Sequence, residues 1–136
     1  MTLIGTHFSG NRSQLAGGGI YNSRSVLSLA ETTLENNFAQ IKGGGLFTSS
    51  LSGSATITDS NIRDNQAIDG GGVFLDSGSM MLERSLVYNN NSFGTSGEGG
   101  GGIYVSVATL SVVNTTINSN RTVKQGGGIF NRGTVE

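Results

Sequence analysis

Three consecutive glycines followed by an aliphatic and then an aromatic residue occur five times in this chain, starting at Gly17, Gly43, Gly70, Gly100 and Gly126. Successive copies lie 26, 27, 30 and 26 residues apart. A period of that size means that one small structural unit is copied and stacked, so the chain reads as a solenoid. Such a chain is mostly scaffold. Its pattern constrains architecture far more than chemistry.

A second mark keeps the same register. Asn11, Asn37, Asn65, Asn89 and Asn120 each follow an apolar residue by three positions: Phe8, Leu34, Ile62, Leu86 and Ile117. Five residues before these lie Leu3, Leu29, Ile57, Met81 and Val112. The step from Asn to triplet is six residues in three units, five at Asn65 and eleven at Asn89, which places an insertion in the loop at residues 90–99.

The local pattern is β. Apolar and polar residues alternate at Val26 to Leu29, Ala55 to Thr58 and Thr109 to Val112, and no segment keeps helical spacing. A unit of this length is too short for a βαβ crossover of roughly 30 residues or more. Three strands of about four or five residues plus turns fit one coil, and parallel pairing would stack coils roughly 4.8 Å apart. The expectation is an all-β parallel β-helix of about five coils, forming one domain over residues 1–136.

Stacking explains the residue types. Asparagines at one corner can hydrogen-bond from amide to amide along the axis. Glycines at another corner permit positive φ and close backbone approach. Proline, which would remove a donor from the ladder, is absent.

Composition narrows function by exclusion. Charged residues are 12% of the chain and the net charge is −1. No run of like charge gives electrostatic support to a nucleic acid or other polyanion partner. No apolar run is long enough to insert into a membrane. Cysteine is absent. No cofactor, metal site or catalytic residue is expected.

The GGG[ILV][YF] and apolar-x-x-Asn marks, in this order and spacing, resemble the polymorphic outer membrane protein repeats, whose marks are GGA[ILV] and FxxN. They are also similar to exported bacterial right-handed parallel β-helix repeat proteins. The resemblance spans Leu3 to Phe130. It implies a right-handed helix on a bacterial cell surface or in the extracellular space, as an adhesin passenger or stalk. It carries no catalytic residue to transfer, and fold alone does not fix function. The departures are a third Gly for Ala and mostly Leu or Ile for Phe.

Several residues invite functional readings. Tyr21, Phe47, Phe74, Tyr104 and Phe130 form either a packing stack or an outward stripe able to bind sugar rings or a neighbouring protein. Outward Tyr21 and Tyr104 would favour binding. Asp59, Asp64, Asp69 and Asp76, with Arg63 nearby, have the residue types of a calcium-dependent lyase site, but they fall at different corners and read as solvated carboxylates. His7 has no Ser or Cys partner in sequence. Thr6, Thr32, Ser60 and Thr115 suggest a hydroxyl ladder of the ice-binding kind, interrupted by Arg84. Asn11, Asn90, Asn114 and Asn120 begin N-x-[ST] sequons.

The two ends carry a further clue. Joined tail to head, GGGIFNRGTVE and MTLIGTHFSGN make one more near-regular unit, so the chain is either an excerpt of a longer helix or a subunit with phase-matched ends. Uncapped ends of a solenoid expose backbone groups and core, and head-to-tail contacts that never close make filaments. The function expected is a structural β-helix that self-associates into a fibre or forms part of a stalk. The alternatives are an adhesive module for surface glycans or host or neighbour proteins, and, more remotely, a fragment of a polysaccharide-degrading enzyme.

Overall fold

The computed structural model describes residues 1–49 and 53–136 in full, and residues 50–52 by their place in a strand alone. Among the described residues all pairing is parallel, and each strand pairs with its counterpart one repeat away. The fold is a parallel β-solenoid of about five turns with three sheets. Sheet A holds Thr2–Ile4, Leu27–Ala30, Leu46–Thr58, Val73–Glu83, Ile103–Val113 and Ile129–Asn131, with Ile20–Ser23 and Thr134–Val135 added at its ends. Sheet B holds His7–Ser9, Thr33–Glu35, Asn61–Arg63, Leu86–Tyr88 and Thr116–Asn118. Sheet C holds Arg12–Ser13, Phe38–Ala39, Gln66–Ala67, Asn91–Ser92 and Arg121–Thr122. The faces are unequal, where three strands of similar length were expected. Strands of sheet A reach 11 and 13 residues, whereas those of sheet C have two.

The reason lies in the corners. Each coil bends at three left-handed residues. The first set is Gly5, Glu31, Asp59, Arg84 and Asn114; the second is Gly10, Asn36, Asp64, Asn89 and Ser119; the third is Gly17, Gly43, Gly70, Gly100 and Gly126. Only the third is always glycine, and sterics explain why. A Cβ on Gly43 would lie 2.7 Å from the Leu46 carbonyl carbon, whereas a Cβ on Gly5 or Gly10 meets nothing within 4 Å. The first two corners require only the conformation, which an L residue adopts at about 1–2 kcal/mol. The third requires the conformation and the space.

The second glycine of each triplet is needed for a different contact. A Cβ on Gly44 would sit 2.5 Å from the backbone nitrogen and oxygen of Gln66 in the next coil. The third makes room for asparagine: a Cβ on Gly45 would lie 3.0 Å from Nδ2 of Asn65, and one on Gly72 would lie 3.0 Å from Cγ of Asn90. Triplet and asparagine recur together because one packs on the other.

Inside, apolar residues stack in columns. Ile20, Leu46, Val73 and Ile103 form one; Leu29, Ile57 and Leu82 another; Leu34, Ile62 and Val87 a third, all buried. Each fully buried Leu, Ile or Val contributes about 1.5–3 kcal/mol. At the two ends the columns finish in half-buried Leu3, Phe8, Val112, Ile117 and Ile129.

Coil four corrects the sequence register by one residue. Leu82, Val87 and Asn90 occupy the columns expected for Met81, Leu86 and Asn89. Met81 and Leu86 are exposed, and Asn89 is the left-handed corner.

Steric need at the triplet is measurable. Gly44→Ala should cost about 3 kcal/mol or more in urea unfolding, since backbone must move. Gly5→Ala should cost about 1 kcal/mol, from conformation alone. Equal costs would contradict this assignment of the corners.

Candidate functional site: stacked ladders and open end faces

The asparagine column is Asn11, Asn37, Asn65, Asn90 and Asn120. Each Oδ1 from Asn37 onward accepts twice from the coil before. Asn65 Oδ1 takes the Asn37 backbone N–H at 3.0 Å and the Asn37 Nδ2 at 3.1 Å; Asn90 Oδ1 takes the same two groups of Asn65 at 3.1 and 3.0 Å. The other Nδ2 proton goes to the carbonyl of the apolar residue one coil back, as from Asn65 to Leu34 at 2.9 Å and from Asn90 to Ile62 at 2.9 Å. Asn37, Asn65 and Asn90 are buried, so every link matters: a buried polar group left unpaired costs about 1–3 kcal/mol. The exposed Asn89 takes no part.

A second polar ladder lies at the preceding corner. The Thr32 N–H donates to Ser60 Oγ at 3.0 Å, Ser60 N–H to Ser85 Oγ at 3.1 Å and Ser85 N–H to Thr115 Oγ1 at 3.2 Å. Thr32, Ser60 and Ser85 are buried. Thr6 stands at the same corner of the first coil and donates to the Ile4 carbonyl at 3.2 Å. An outward hydroxyl face of the ice-binding kind, which Arg84 interrupts in the sequence, is not what this corner forms. The hydroxyls point in, and Ser85 continues the ladder where Arg84 was placed, because Arg84 is the left-handed corner beside it.

The aromatic residues do stack. Ring centroids are 4.9 Å apart for Tyr21–Phe47, 5.8 Å for Phe47–Phe74, 4.4 Å for Phe74–Tyr104 and 4.9 Å for Tyr104–Phe130. Phe47, Phe74 and Tyr104 are buried, whereas Tyr21 is 59% exposed. This column forms a cluster separate from the main core. The insertion in coil four helps to cover it. The Asp69 carboxylate accepts the Glu98 and Gly99 amides at 2.8 and 3.0 Å, which pins the loop. Glu98 in turn accepts from the Tyr104 hydroxyl and from Arg132. Hydrogen bonding from Tyr104, then Arg132, holds the Glu98 carboxyl below its ordinary pKa. Burial, with Glu98 beside it, pushes the Tyr104 phenol up to about 12.

The four aspartates do not converge. Asp59 binds Arg84 at 2.8 Å, which lowers its pKa; Asp64 binds Arg63 at 2.8 Å; Asp69 caps the loop; Asp76 accepts from Ser49 at 3.1 Å. Among the described residues no group of three or more His, Cys, Asp or Glu could hold a metal ion. His7 has a partner that its sequence position hides. Its Nε2 lies 2.8 Å from Glu35 Oε1, and Arg63 reaches the other carboxylate oxygen. The Ser9 hydroxyl also donates to Glu35, at 3.4 Å, not to the imidazole. That arrangement makes a polar cluster across three coils without a nucleophile–base pair.

Both end faces present the ladder's next link. Among the described residues, Asn120 has no acceptor for its backbone N–H, and Asn11 Oδ1 accepts nothing. One face offers the donors that the other face would receive. A second column also reaches both ends. Leu27, Ala55, Met80, Leu110 and Val135 are in register, and Met1, one residue before the Thr2–Ser28 pair, falls opposite Leu27.

Residues 1–135 match the family described as Right handed beta helix region. No curated protein and no solved structure matches the chain.

Two measurements check this geometry. Asn90→Ala should lose about 3 kcal/mol or more, because it strands donors on Asn65 and an acceptor on Ile62. Asn89→Gly, at a left-handed corner, should change stability by less than about 1 kcal/mol; the reverse order would restore the other register. In an ultraviolet titration, the signal removed by Tyr104→Phe should have its midpoint near about 12. The folded state favours the neutral phenol, so its contribution is full below the unfolded tyrosine pKa of about 10 and fades as pH rises through the folded value.

Proposed function

The chain belongs to the right-handed β-helix family, and from that premise we propose that it is a non-catalytic structural segment that lengthens by stacking copies end to end. The observation that carries this reading is the complementarity of the two faces: among the described residues, the unpartnered Asn120 backbone N–H at one end and the unpartnered Asn11 Oδ1 at the other. The half-buried Leu3, Phe8, Ile117 and Ile129 at those faces would be covered by the same contact, with a gain of about 25 cal/mol per Å² of apolar surface removed from water. A head-to-tail contact of this kind does not close and builds a fibre.

Surface or extracellular placement, as a stalk or adhesin passenger, is supported by the likeness of the triplet and asparagine marks to polymorphic outer membrane protein repeats. A glycan-binding stripe of aromatics has less support, because burial of Phe47, Phe74 and Tyr104 leaves only Tyr21 strongly exposed.

The contact has one geometric condition. In-register stacking puts Met1 and Thr2 of the incoming copy in the slot that Val135 and Glu136 fill. One of these two segments must leave the slot. Sedimentation velocity over rising concentration tests this directly. A chain of residues 1–133 should associate at lower concentration than the full chain, in steps of about 24 Å of length. Leu3→Lys should abolish association in both. A monomer at every concentration, full-length and trimmed alike, contradicts the proposal.

A further inference from the structure

The coil gathers cations that the sequence scatters. Of the eight Lys and Arg residues, Arg63, Arg84 and Arg132 are held in ion pairs. The other five have no ion-pair partner among the described residues, and four of those lie on one long edge. Arg12 and Arg121 occupy the same outward column of sheet C, four rungs apart, a span of about 19 Å. Lys42 and Lys124 stand in the turn that follows sheet C in their coils. The Lys42 ammonium rests 4.5 Å over the Phe74 ring, which leaves its charge uncancelled. Of the acids nearest this edge, Glu98 is paired with Arg132, and Asp69, one rung from Lys42, holds the Glu98 and Gly99 amides and sets its single negative charge against the four cations.

The same edge exposes apolar side chains. Leu15 is 67% exposed, Val123 66%, Ile41 40% and Phe93 36%, and all four lie in the turns between sheet C and the glycine triplets. The Phe93 ring stacks on Phe38 at 5.7 Å, and Arg12 covers Phe38 at 4.4 Å, which fixes cation and aromatic side by side. Other exposed apolar residues lack a column of several cations beside them. Ile4 and Val113, for example, share their column with Glu83.

We propose that this edge docks lengthwise on an anionic phospholipid surface, with Leu15, Ile41, Phe93 and Val123 entering the headgroup boundary and Arg12, Lys42, Arg121 and Lys124 meeting the phosphates. Projecting apolar groups rimmed by cations fit that interface. A soluble polyanion would use the charges and leave the aliphatic side chains in water. A second copy placed edge to edge would bring like charges together. The inference is separate from end-to-end stacking, which uses other surfaces.

Co-sedimentation with vesicles of phosphatidylglycerol and phosphatidylcholine, compared with phosphatidylcholine alone, tests it on the full 136-residue chain. Retention should require the anionic lipid and weaken with salt. Arg12→Gln, Arg121→Gln and Lys124→Gln should each lower partitioning about fivefold. Arg24→Gln, the unpaired cation outside this edge, should leave it unchanged. Leu15→Ser with Val123→Ser should reduce retention at constant charge, and unfolding curves should show that these exposed changes leave the fold intact. Any of four results would overturn the proposal. One is no retention on anionic vesicles. Another is a loss from Arg24→Gln equal to that from Arg121→Gln. The third is insensitivity to the Leu15 and Val123 changes with full competition by soluble heparin or duplex DNA, which assigns the edge to polyanions. The fourth is altered sedimentation of the Leu15 and Val123 variants without lipid, which assigns it to a second copy.

Discussion

Successive coils of this molecule are held in register by an asparagine ladder whose inner amides, those of Asn37, Asn65 and Asn90, are buried and hydrogen-bonded. Asn37, Asn65 and Asn90 each accept from the coil before and donate to the coil after. A shift by one residue would move the amide out of line and expose the apolar columns beside it. The glycine triplet is the other half of the same device, since Gly45 and Gly72 leave the space in which Asn65 and Asn90 sit. Registry, hydrophobic burial and the positions of the outward columns all follow from that contact.

The repeat makes the architecture legible in the amino-acid sequence. Period, parallel stacking, the triplet corners and four of the five ladder asparagines can be placed from spacing alone. Coil four cannot, because each marker there is a doublet: Met81-Leu82, Leu86-Val87 and Asn89-Asn90 satisfy the spacing in either register. The signal that separates them is conformational. The ladder asparagine follows a left-handed residue in every coil, Gly10, Asn36, Asp64, Asn89 and Ser119. The neighbouring asparagines of coil two, Asn36-Asn37, already show the ladder residue coming second.

Surface chemistry is less legible, for a reason of geometry. Arg12 and Arg121 are far apart in sequence and share one column in space. Residues about one repeat apart become neighbours in a solenoid, so a charge run along the chain is the wrong thing to seek. His7, Glu35 and Arg63 illustrate the same point as a polar cluster across three coils. The aromatic column is visible as a pattern, but its burial depends on a covering loop that only Asp69, Glu98 and Tyr104 together fix. Among the described residues there are thus a buried interior, two end coils whose ladder asparagines lack a neighbour, and one edge with a distinct charge, and the proposed associations draw on the last two.

Hydrogen exchange of the asparagine side-chain amides, followed by NMR, probes the ladder itself. The account predicts that the Nδ2 protons of Asn37, Asn65 and Asn90 exchange only through global unfolding, while those of Asn89 exchange as freely as in an unstructured peptide. Free exchange at Asn65 in the folded chain would contradict it.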